Sequence, residues 1–193
     1  MHDLPDTDDA DASAEKFWPE GYKNVLRADL KQAFVEMVIK SEAFKSFHES
    51  LYHDRFDDYE AFVDRLAEMV VIGSENGVDR ILSEVYDAFR NNSPFPDKRY
   101  YSKYFWPEVF DEDLRKSLAS RAFDEFDNHH AYVHIHEDHY ESNLSFAEFI
   151  AQIADLVVVG AVNGADDALG DIYRAFISKA PLPTARRRPR ALR

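Results

Sequence analysis

Two stretches decide the fold: Phe62 to Pro96, FVDRLAEMVVIGSENGVDRILSEVYDAFRNNSPFP, and Phe149 to Pro183, FIAQIADLVVVGAVNGADDALGDIYRAFISKAPLP. They align without a gap at an offset of 87. Over 59–96 against 146–183 there are 14 identities in 38 pairs, and nine of the 24 mismatches exchange one apolar residue for another. Upstream the offset becomes 88: Phe17-Trp18-Pro19-Glu20 matches Phe105-Trp106-Pro107-Glu108, and His48-Glu49 with Tyr52 matches His136-Glu137 with Tyr140. A one-residue difference near 53–58 is absorbed by a loop. The chain therefore reads as two tandem copies of a unit of roughly 87 residues, the self-similarity that must be sought before any other pattern.

Each copy has helical periodicity. Leu26, Leu30, Phe34, Met37 and Val38 recur at 3.6-residue spacing, as do Phe44, Phe47, His48, Leu51 and Tyr52, then Phe62, Leu66, Met69 and Val70, then Leu82, Val85, Tyr86 and Phe89. Pro19 and Pro107 suit a first helical turn, with Trp18 and Trp106 expected to anchor it. Ser145 and Glu148 form the S-x-x-E pattern that satisfies the free amides of a helix start. The expectation is an all-α protein of about four helices per unit, as paired bundles or a short superhelix. Its parts would be an acidic tail at 1–16, repeat one at 17–91, a linker at 92–104, repeat two at 105–183 and a basic tail at 184–193.

Glycine recurs as Gly73-x-x-x-Gly77 and Gly160-x-x-x-Gly164. The spacing does not fit a dinucleotide-binding turn, and a helical pattern rather than a strand precedes it. The Asn-Gly pairs are read as ending the third helix, since both residues tolerate left-handed backbone, with Asp79 and Asp166 capping the fourth. The alternative is a close crossing within one long helix.

The formal net charge of -14 comes from 37 acids and 23 bases. Residues 1–16 and 184–193 cancel, at -5 and +5, while 17–104 carries -4 and 105–183 carries -10. A body so acidic argues against binding nucleic acid or an anionic membrane, the five terminal arginines excepted. With no cysteine, disulfides and thiolate sites are excluded. No run approaches 18 consecutive apolar residues, and the acidic start lacks the apolar segment of a secretory signal, so the expected compartment is the cytosol.

No nucleotide-binding loop, G-x-S-x-G turn or cysteine nucleophile supports catalysis. The acidic second unit is instead expected to bind a basic protein partner, as small acidic inhibitors hold basic nucleases or toxins, through Asp124, Glu125, Asp127, Glu137, Asp138, Glu141, Asp166, Asp167 and Asp171. The alternative is a His/carboxylate metal-binding protein with a hydrolytic or storage role, holding a divalent metal such as zinc. Five of the eight histidines lie in 129–139, and His130, His134 and Glu137 follow one helical face. His48 and His136, which match between the copies, are expected as inner or boundary residues with hydrogen-bond partners.

Overall fold

A computed structural model describes residues 26–91, 93–97, 99, 112–127 and 130–183. The two Trp-Pro-Glu segments, both charged tails and most of the linker lie outside the described residues. The described chain is all-α, without a strand. A π-helical turn, Leu26–Leu30, leads into α1 (Lys31–Val38). Next, α2 (Glu42–Phe47) runs into a second π turn, His48–Tyr52, and α3 (Tyr59–Asn91) follows. After the linker come α4 (Glu112–Asp127) and α5 (His130–Ile135), the latter running into a third π turn, His136–Tyr140, before α6 (Phe146–Ser178).

The helix starts are set locally. Ser41 accepts the Phe44 amide before α2, and the Asp58 carboxylate accepts the Ala61 amide at 2.7 Å before α3. At α6 the expected capping box is complete: Ser145 Oγ accepts the Glu148 amide at 3.2 Å while the Glu148 carboxylate accepts the Ser145 amide at 2.8 Å. The hydrogen bond donated by the Ser145 amide, and after it the Ser145 hydroxyl, hold the Glu148 carboxyl below the usual carboxylate range. The α6 stop is a left-handed Lys179 with the Ala180 amide bonded back to the Ala175 carbonyl, the geometry that satisfies the last carbonyls of a helix.

The expected break at Asn76-Gly77 and Asn163-Gly164 is not there. Both pairs lie inside continuous helices of 33 residues, and among the described residues no glycine has positive φ. Asp79 and Asp166 consequently sit in mid-helix rather than at caps, and the third and fourth helices of each unit are one. The glycines serve the close crossing instead. A Cβ at Gly73 would stand 2.5 Å from the Gly164 carbonyl oxygen, and one at Gly160 would stand 2.7 Å from that of Gly77; additions at Gly77 and Gly164 would approach still closer. As α3 advances from Gly73 to Gly77 to Ile81, its neighbours on α6 retreat from Ala168 through Gly164 to Gly160, so the two helices run antiparallel at the contact. Ser74 Oγ donates to the Ala161 carbonyl at 2.9 Å within this seam. Ordinary helix pairs hold their axes about 8–10 Å apart because side chains intervene. Here main chain meets main chain.

Beyond the crossing, each end of the helix pair is closed by aromatic rings. At one end Phe176 of α6 packs on Phe44, Phe47, Tyr52 and Phe62, with Phe47 stacked at 4.3 Å. At the other, Phe89 of α3 packs on Tyr132, Tyr140 and Phe149. Tyr52 donates to the Ala180 carbonyl at 2.7 Å, and Tyr140 donates to the Ser93 carbonyl at 3.0 Å. The buried residues of α1 to α3 and of α4 to α6 thus join one core. Tyr59 fastens the start of α3 to the α1–α2 turn, donating to the Val38 carbonyl at 2.6 Å.

Two outcomes are expected. Gly77→Ala and Gly164→Ala should each lower stability by about 2 kcal/mol, or roughly 4–8 °C in Tm, because overpacking against a carbonyl outweighs the ~1 kcal/mol helix-propensity gain of alanine; an unchanged or raised Tm in thermal denaturation would contradict the close crossing. Burial pushes the Tyr59 hydroxyl up to about 12, with the Glu42 carboxylate adding to the shift, and burial raises Tyr52 and Tyr140 as well. Unfolding frees these phenols to ionise near their usual value of about 10, so stability should be intact below that pH and fall as pH rises from there through about 12. Urea midpoints measured across this range should show a shallower fall for Tyr59→Phe than for the parent chain.

Candidate functional site

The surface of greatest interest is built by α4, by α5 with its π turn, and by α6. In the turn after α5, the Glu141 amide reaches the His136 carbonyl at 2.8 Å, five residues back. This wide turn carries His136 and Tyr140 inward and leaves Glu137, Asp138 and Glu141 exposed. His136, only 7% exposed, places its Nε2 2.6 Å from the Leu144 carbonyl, with its ring against Phe146 and Phe149. A carbonyl can only accept, so Nε2 carries the proton. His48 is bonded alike, with its Nε2 3.3 Å from the Phe56 carbonyl and its ring against Phe62. Both histidines therefore face inward with a hydrogen-bond partner. Each reaches a carbonyl eight residues ahead, so the one-residue change of offset between the two aligned stretches falls after that carbonyl, in the residues leading to Phe62 and Phe149.

The nine acids expected to meet a partner separate into groups. Asp124 and Asp127 are exposed on α4; Glu125 is on the same helix, its side chain outside the described set. Asp167 is exposed but paired with Arg80 of α3 at 3.1 Å, and Asp171 is half-buried and paired with Arg174. Asp166 is the correction. It is 5% exposed and cannot belong to a contact surface. Its neighbours explain this: Ala165, Ala168, Leu169, Gly170 and Ile172 are buried as well, so this part of α6 is enclosed nearly all round rather than presenting a polar face. Glu75 of α3, 2% exposed, is a second buried carboxylate that periodicity did not single out.

Of the metal candidates, His134 is exposed with Nδ1 3.8 Å from the Glu137 carboxylate, and the His130 side chain lies outside the described set. Among the described residues no three histidine or acidic side chains converge as a metal site. The helix α6 is long and apolar enough, by length and composition, to cross a membrane; 67% of its most apolar window is buried inside the chain.

Sequence reasoning missed the tyrosine pins and the three π turns. A signal for the pins was present, since Tyr52 and Tyr140 align at the offset of 88; no residue pattern announced the π turns. The buried histidine bond has a measurable value. His136→Phe keeps the ring but leaves the Leu144 carbonyl without its donor, and should cost about 1–3 kcal/mol in urea denaturation; a loss within error of zero would show that the bond contributes nothing.

Comparison of the chain with family models, with curated proteins and with solved structures finds no match.

Proposed function

We propose that the chain is a non-catalytic binding module that engages a basic protein through the acidic surface of its second half, in the manner of an inhibitor that covers a basic nuclease or toxin. The observation that carries this reading is the group of exposed carboxylates Glu137, Asp138 and Glu141 on one wide turn anchored from beneath by His136 and Tyr140. Asp138 and Glu141 make no ion pair among the described residues. Together with Asp124 and Asp127 they belong to the half that carries -10 of the charge. Like charges held on an ordered frame, as Asp138 and Glu141 are, steer an oppositely charged partner and are relieved when it binds. Asp167 and Asp171, each already paired, play a smaller part in this surface.

The same proposal includes an origin by tandem duplication, with units at 17–91 and 105–183 and a cytosolic setting. Matching contacts support the duplication. Phe62 with Phe176 and Phe149 with Phe89, like Tyr52 with Ala180 and Tyr140 with Ser93, are related by offsets of 87 and 88. In each pair one unit supplies the group that closes the long helix of the other. Duplication of this kind would keep the apolar frame while freeing the second surface to become acidic.

A second reading, a divalent-metal protein, rests on the His134 and Glu137 pair with His130 one turn earlier. The two readings separate cleanly. In pull-downs from native cells, a Glu137→Lys, Asp138→Lys, Glu141→Lys variant should recover at least tenfold less of the main partner while its helical circular dichroism and Tm stay near those of the parent. Undiminished recovery would remove these residues from the interface. Elemental analysis of gently purified protein, with Tm measured on adding zinc, tests the metal: bound metal at one equivalent and a raised Tm would favour it over the partner reading.

A further inference from the structure

We draw no further inference here: the strongest candidate, the collar of carboxylates Glu49, Asp54, Asp57, Asp58 and Glu60 around the turn between the second π turn and α3, beside which the chain leaves α6 toward its arginine-rich end, is an acidic cluster, and nothing among the described residues shows what covers it.

Discussion

The fold depends on a contact between two backbones. Where α3 crosses α6, the carbonyls of Gly73, Gly77, Gly160 and Gly164 occupy the space that side chains would take at an ordinary helix crossing. Four glycines inside helices cost about 1 kcal/mol each relative to alanine, a propensity loss of about 4 kcal/mol in all. That loss is tolerated because removing the Cβ atoms brings two long apolar helices together along their centres, and dispersion between close-packed atoms falls off steeply with any gap. Everything else is arranged around this line. The short helix α1 lies on α3, α2 sets its phenylalanines against the end of α6, α4 lies on α6, and the aromatic groups close the two ends.

The ends explain why the halves behave as one body. Phe176 of the last helix and Ala180 just beyond it are held by residues from the first half; Phe89 and Ser93 are held by residues from the second. The C-terminal end of each long helix is thus held by residues of the other half, while its start is packed by residues of its own. Surface ion pairs add little to this. Lys31 with Asp64 and Arg80 with Asp167 are exposed pairs of the kind worth about 0–1 kcal/mol, although the hydrogen bond it donates to Asp64 does raise the Lys31 ammonium above its ordinary value. Cohesion comes from the apolar interior and from the few polar groups set within it, among them Ser74 in the seam and the two inward histidines.

Much of this was legible in the residues. Apolar spacing located the helices, the match of His48 with His136 marked both as inward residues, and Ser145 with Glu148 marked the start of α6. The glycines were misread because Asn-Gly is a good terminator judged by local preference alone, whereas what decides its conformation here is the carbonyl of a helix 87 residues away. Asp166 was misplaced for a related reason. A charge in an acidic segment reads as solvated, yet α6 is buried around most of its circumference, so the usual alternation of faces does not apply to it. The acids Glu137, Asp138 and Glu141 lie exposed at the third π turn, with His136 and Tyr140 on its inner side. Whether the exposed carboxylates act together depends on a partner's shape, which no spacing rule encodes.

The glycine seam also works as a ruler. Sliding α6 along α3 by one turn in one direction would set Leu156 over Gly77, where no side-chain atom fits; one turn in the other would drive Ala168 and Ile81 into places now held by carbonyls. A seam made of leucines could repack after such a slip, but one made of bare main chain has a single workable alignment. The surfaces on either side of it are thereby held at one fixed displacement from each other, however much their charges diverge.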